Sequence, residues 1–142
     1  MQGLSLDRFP VLLRGAWFGM NRVFRERLKS LGITTSQYTV LRCLKEANGI
    51  NQSVLSERIY TNKNNCSSLV NRLCKQGLIQ KKVITNDRRN YNLKLSNKGM
   101  DIFHQAEGVA LDLQKEVLDK LPRHAEEQIV FSLQKITDSL TD

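Results

Sequence analysis

Between Thr61 and Gln76 the chain carries Asn62, Lys63, Asn64, Asn65, Ser67, Ser68, Asn71, Arg72 and Lys75, interleaved with Cys66, Leu69, Val70, Leu73 and Cys74. The apolar residues fall at steps i, i+3, i+4, i+7 and i+8, so a helix over 61–76 would bury them along one stripe and turn amides, hydroxyls and cations the other way. Those groups suit the major groove of duplex DNA. An asparagine amide pairs bidentately with adenine, a serine hydroxyl serves bases or phosphates, and arginine or lysine addresses guanine or the backbone. A helix needing only solubility would carry Glu or Lys, because asparagine forms helices poorly, yet asparagines stand at 62, 64, 65 and 71. A second stretch, NDRRNYNLKLSNKG at 86–99, begins with turn formers and charges and continues as Tyr91, Leu93 and Leu95 alternating with Asn92 and Lys94. That period of two marks a half-buried strand fed by a charged loop. Arg88 and Arg89 on such a tip suit a minor groove, where narrow A·T-rich stretches concentrate negative potential. Asp87 either holds a neighbouring arginine in a fixed pose by a charge-assisted bond or caps its own turn.

Helices and a hairpin must hold these residues. Apolar steps from Val11 to Leu31 predict a long helix over 8–30, ended by Gly32. Thr34 and Gln37 stand at capping-box spacing before a second helix over about 35–47. Asn48-Gly49 breaks the chain, and Asn51 caps a short third helix from Gln52 to about Ile59. Thr61 is placed to cap the fourth, and Gly77 to stop it. Strands over 79–84 and 91–95 form a hairpin with a basic tip at 85–90. Ser96 opens a fifth helix running to Leu121, and Pro122 breaks it as the first residue of a sixth, whose inward positions are Ile129, Leu133, Ile136 and Leu140. The expected fold is mainly α with a small β-hairpin wing, a winged helix-turn-helix flanked by N- and C-terminal helices, in one domain over 1–142.

Charge agrees with this layout. Ten Lys and Arg residues and a single acid, Asp87, lie between Arg58 and Lys98, a local excess of +9 in a chain whose net charge is +8. So concentrated an excess is the footprint of a polyanion-binding element. Catalysis has no comparable signature: there is no glycine-rich phosphate loop, no H-E-x-x-H, and no nucleophile with an evident base. Cys43, Cys66 and Cys74, with His104 and His124 distant, have no metal-ligand spacing, so neither metal nor cofactor is expected. No apolar run reaches the roughly 20 residues that span a bilayer, and the N-terminus does not read as a leader, which predicts a cytoplasmic protein without a membrane partner.

The chain resembles the MarR family of bacterial winged-helix regulators. The resemblance rests on D-x-R-x-x-x-L-x-L-S/T-x-x-G, here Asp87, Arg89, Leu93, Leu95, Ser96 and Gly99, with G-I-T-x-x-Q at 32–37 and R-L-x-x-x-G-L-I at 72–79 in support. It implies that 34–95 is the DNA-binding region with Asn62–Arg72 as recognition helix, Arg89 as minor-groove wing residue and Asp87 as its positioner. It also implies that 8–30 and 96–140 are dimerisation helices. A homodimer would then read two half-sites of double-stranded DNA about 10 base pairs apart, usually as a repressor. Without a second copy, Val11, Leu12 and the sixth helix would expose a large apolar area. Relatives often bind a small aromatic or anionic effector, for which Trp17, Met20, Phe24, Tyr38 and Phe103 are the candidate pocket, although aromatics at helical spacing are ordinarily core. The first-helix cysteine of oxidant-sensing relatives is absent. Cys66 and Cys74 read as buried filler and Cys43 as partly exposed. Where the family commonly has arginine after G-L-I/V-x this chain has Lys81, which lacks the planar fork. The competing reading keeps the fold as a protein- or RNA-interaction module without sequence-specific DNA binding.

Overall fold

A computed structural model describes residues 5–84 and 91–141. Six α-helices and one hairpin are present among them. Helix α1, Phe9–Leu28, follows a short 3-10 turn at Leu6–Arg8 and is prolonged by a second, Lys29–Leu31, up to Gly32 at φ 72°. Gly32 takes the left-handed conformation that closes a helix at little steric cost. Helix α2, Thr35–Glu46, starts on a complete capping box: the Gln37 backbone N–H donates to Thr34 Oγ1 at 3.1 Å, and the Thr34 N–H donates to Gln37 Oε1 at 3.0 Å. Helix α3, Gln52–Arg58, is capped by Asn51, whose Oδ1 accepts from the Val54 N–H at 2.8 Å. Helix α4 spans Lys63–Lys75.

Strands β1, Ile79–Val83, and β2, Tyr91–Leu95, pair antiparallel with Ile79 opposite Leu95 and Val83 opposite Tyr91. The hairpin is anchored to the α2–α3 link, since the Leu93 N–H donates to the Ile50 carbonyl at 2.8 Å and the Gly49 N–H to the Leu93 carbonyl at 3.2 Å. Helix α5 is Asn97–Leu118 and α6 is Ala125–Leu140. Two compact units divide within α5, one up to Val109 and one from Ala110. In the first, Leu28, Val40, Leu41, Leu44, Leu55, Val70, Leu73, Leu93 and Phe103 form the core.

The expected elements are present, with three local corrections. Thr61 does not cap α4; Asn62 does, at φ −89° and ψ 169°, because the Thr61 N–H closes back onto the Ser56 carbonyl at 3.0 Å and keeps Thr61 in the turn. Pro122 does not open α6. Helix α5 ends at Leu118, tighter turns follow, the Pro122 carbonyl accepts from the Ala125 N–H at 3.0 Å, and His124 at φ 69° precedes the helix. Nor is any residue of α6 buried among the described residues: Ile129, Leu133 and Leu140 are exposed and Ile136 half-buried.

The L-S-x-x-G run has a structural reason. Ser96 Oγ donates to the Gly77 carbonyl at 2.6 Å and accepts from the Gly99 N–H at 2.9 Å, while the Ser96 N–H donates to the Leu78 carbonyl at 3.0 Å. The first turn of α5 is thereby fastened to the turn that ends α4, so tightly that a Cβ on Gly99 would lie 1.9 Å from the Leu78 carbonyl oxygen. Gly99→Ala is expected to destabilise the fold by about 1–3 kcal/mol, the usual range for forcing atoms into a filled site, read as a lowered denaturation midpoint at fixed protein concentration.

Candidate nucleic-acid interface

Helix α4 separates its two chemistries cleanly. Cys66, Val70 and Leu73 are fully buried, Leu69 and Cys74 half-buried, and Lys63, Asn64, Asn65, Ser68, Asn71, Arg72 and Lys75 exposed, with Ser67 half-buried at the border. The helix begins at a strained step. Tyr60 holds φ 56°, a value few non-glycine residues adopt, and the residue is 74% exposed. Asn62 is exposed at the N-cap, where its Oδ1 accepts the Asn65 N–H at 2.8 Å. That bond changes the reading of Asn62: an oxygen committed to the helix is poorly placed for a bidentate pair with adenine, and the outward group is the Nδ2 donor.

Asn71 is held too, by a residue outside the predicted site. Lys81 Nζ donates to Asn71 Oδ1 at 3.4 Å and sits 5.0 Å from the centre of the Tyr91 ring, and the Tyr91 hydroxyl donates to Gln52 Oε1 at 3.1 Å. The chain from α3 through both strands to α4 braces the root of the hairpin against the recognition surface. A lysine suffices there, because one donor and a cation–π contact are what the geometry uses. The signal was in the register: period-two alternation puts Lys81 and Tyr91 on one face of the hairpin, diagonally across it. A groove of about 260 Å³ between the start of α2 and the polar face of α4 adds Ser36 and Thr61 to Asn65 and Ser68.

Asp87, Arg88, Arg89 and the tip at 85–90 lie outside the described residues. Of the five candidate pocket residues, three come together: Phe24 meets Tyr38 edge-on with ring centres 5.0 Å apart, and Tyr38 stacks on Phe103 at 5.9 Å. They form packed core. Trp17 and Met20 lie on the exposed side of α1. Burial raises the Tyr38 phenol above its ordinary pKa, with Arg42 opposing.

Cys66 is buried as expected, whereas Cys74, like Cys43, is half-buried. Burial pushes all three thiols up; Arg58 pulls back on Cys43 and Lys81 on Cys74, while Cys43 raises Cys66 further. A raised thiol pKa leaves less thiolate at neutral pH. Among the described residues no group of His, Cys, Asp and Glu could hold a metal ion.

Comparison with known proteins agrees with this geometry. Residues 33–91 match the model of the MarR family. An uncharacterised HTH-type transcriptional regulator of Bacillus cereus is 26% identical over 113 residues, covering 80% of this chain and 75% of the relative, and one from Bacillus anthracis matches equally. Among solved structures, the organohalide-sensing regulator RdhR in its 2,4-dichlorophenol-bound form is 25% identical with a TM-score of 0.84, over 99% of this chain and 88% of that one. Escherichia coli MarR complexed with operator DNA superposes at 0.82 and 22% identity, over 94% and 99% of the two chains. Staphylococcus aureus MepR bound to DNA superposes at 0.81 and 20% identity, over 96% and 100%.

Removal of the α4 cap is expected to cost about 1 kcal/mol in Asn62→Ala. Asn62→Asp keeps the cap and the stability but sets a negative charge on the polar face, so denaturation and DNA titration should part company in that variant alone. Alkylation by iodoacetamide at pH 7 is expected to be slower for the folded chain than for the chain in denaturant, where the thiols recover a pKa near about 8.5. The same raised thiols bind protons more tightly in the folded state, so their contribution is complete below the unfolded pKa and declines as pH rises through the folded values, giving a stability loss on the alkaline side.

Proposed function

We propose that the chain, whose residues 33–91 match the model of the MarR family, is a member of that family and a sequence-specific regulator of transcription that binds double-stranded DNA as a homodimer and acts as a repressor. Helix α4 of each protomer enters a major groove of a pseudo-palindromic operator and residues 85–90 reach the neighbouring minor groove. The observation that carries this reading is the division of α4, whose buried stripe is locked into the core while its amides, hydroxyls and cations face outward. In this reading Lys63, Asn64, Asn65, Ser67, Ser68, Asn71, Arg72 and Lys75, with Asn62 through its amide nitrogen, contact bases and backbone. Arg88 and Arg89 serve the minor groove, and Asp87 positions Arg89. The reading unit is 34–95, and 8–30 with 96–140 join the two copies. The protein works in the cytoplasm without catalytic activity; no helix of the described residues is long and apolar enough to cross a membrane.

The homodimer is supported by surface chemistry. On α1, Val11, Trp17 and Phe18 are 64%, 69% and 65% exposed, and on α6 Val130 and Phe131 are 59% and 63% exposed. Apolar area of this extent on separate helices calls for a partner surface, and the simplest is the same surface on a second copy. Control by a small effector is supported by the relative that binds 2,4-dichlorophenol. In this chain the candidates for such a site are the aromatic cluster of Phe24, Tyr38 and Phe103 and the exposed Trp17 and Met20 of α1, and a ligand there would act by favouring a half-site spacing that the operator rejects.

The test is a band-shift titration on the DNA beside the protein's own gene, where an inverted repeat with half-sites about 10 base pairs apart is expected. Arg72→Ala and Arg89→Ala should each weaken operator binding by about 1–3 kcal/mol, and equal affinity for operator and unrelated duplex would favour an interaction module instead. Phe131→Glu should yield a single-copy mass by light scattering and lose operator binding with it.

A further inference from the structure

A second groove, of about 440 Å³, lies beside the one that joins α2 to α4. It is bounded by Thr39, Arg42 and Glu46 of α2, by Arg58 at the end of α3 and by Tyr60. The two grooves adjoin, because Ser36 and Thr39 are one turn apart on α2 and Tyr60 and Thr61 are consecutive. Ser36, Thr39 and Arg42 are all exposed, and at 1.5 Å per residue they extend about 9 Å, the axial span of about three nucleotides of one DNA strand.

The charges of this strip are not self-neutralised. Glu46 Oε1 accepts from Arg42 Nε at 3.2 Å and the Tyr38 phenol is a second hydrogen-bond partner of Arg42, so that guanidinium is fixed with only part of its five donors left for an anion. Arg58 is exposed and forms no ion pair among the described residues. Tyr60 is held by its left-handed backbone in the turn that precedes the α4 cap, with its phenol outward. Cys43 and Ile59 complete the lining, and the groove stands open to solvent, so a small organic molecule seated there would be only partly desolvated. An extended polyanion already lying on α4 needs no such desolvation.

We infer that Thr39, Arg42, Arg58 and Tyr60 seat the phosphate backbone of the same duplex whose bases α4 reads. The inference rests on the DNA-binding reading and adds to it a second, sequence-blind contact at the N-terminal end of α4, opposite the end from which the hairpin departs. Glu46 limits the strip's strength by neutralising part of Arg42, so Arg58 carries most of the attraction.

The experiment measures operator affinity against salt for the full-length protein and for Arg58→Gln, with Arg42→Gln as a second variant. Loss of one phosphate contact per protomer should lower the slope of log K against log salt by about 1.8 for the dimer, so that affinity changes about tenfold less between 50 and 200 mM salt than for the wild type. The ranking of single-base operator variants should be unchanged, and so should the thermal midpoint. Neutralising operator phosphates one at a time as methylphosphonates should reveal a position that weakens the wild type and leaves Arg58→Gln indifferent. An unaltered slope overturns the assignment, and so does an altered ranking of bases, which would place Arg58 on a base edge. If the wild type discriminates operator from unrelated duplex while Arg58→Gln keeps its slope, only the groove assignment fails. If the wild type does not discriminate, the DNA-binding reading fails and takes this one with it.

Discussion

The end of α4 is the constraint on which the rest of the reading unit depends. A recognition helix is useful only if its outward face is held at a fixed angle, and here three segments meet at its last turn. The Leu78 N–H closes onto the Leu73 carbonyl at 2.9 Å with Gly77 left-handed, and Ser96 and Gly99 fasten α5 to the same turn. Buried Gln37 adds a third tie: its Nε2 donates to Gln76 Oε1 at 2.8 Å, and Gln76 Nε2 donates to the Gly32 carbonyl at 3.3 Å. Gln37 thus caps α2 with one end of its amide and holds α4 with the other. Buried polar networks with every group satisfied specify a single arrangement, and no described buried side-chain nitrogen or oxygen lacks a partner.

At its other end α4 is positioned by strain and capping. The left-handed Tyr60 turns the chain sharply enough that Asn62 meets the exposed N–H groups of the helix, and the price is an asparagine oxygen that no longer faces outward. The polar face is therefore less uniform than its composition implies. Asn62 and Asn71 are oriented by bonds within the chain, whereas Arg72 and Lys75 extend from the exposed side without any such tie being required of them. Oriented amides suit base edges, which reward geometry, and long cations suit phosphates, which reward proximity.

The terminal helices follow a different rule from the reading unit. From α2 to β2 apolar side chains point to a shared core, but most of those on α6 and on the first half of α1 are presented to solvent. Periodicity identified these stripes as apolar faces, and their exposure in a single chain is what the sequence led one to expect in the absence of a second copy. A stripe at helical spacing reports that a surface must be covered, and the spacing is the same whether the cover is another part of the chain or another molecule.

Helix order, the capping box at Thr34 and Gln37, the Asn51 cap, the hairpin and the basic segment were all legible in the residues, because each depends on groups a few positions apart: side-chain oxygens against nearby N–H groups, and apolar steps of two or of three and four. The α4 cap fell to Asn62 instead of Thr61 and Pro122 stayed outside a helix through turn bonds only a few residues long, whereas the Lys81–Tyr91–Gln52 brace and the groove that unites Arg42 with Arg58 were decided by contacts between segments distant in sequence. Local order fixes which elements form and what chemistry each one carries. Only packing sets which oxygen is already engaged, which cation has no ion pair among the described residues and which glycine has no room for a methyl group, since those are properties of the folded surroundings.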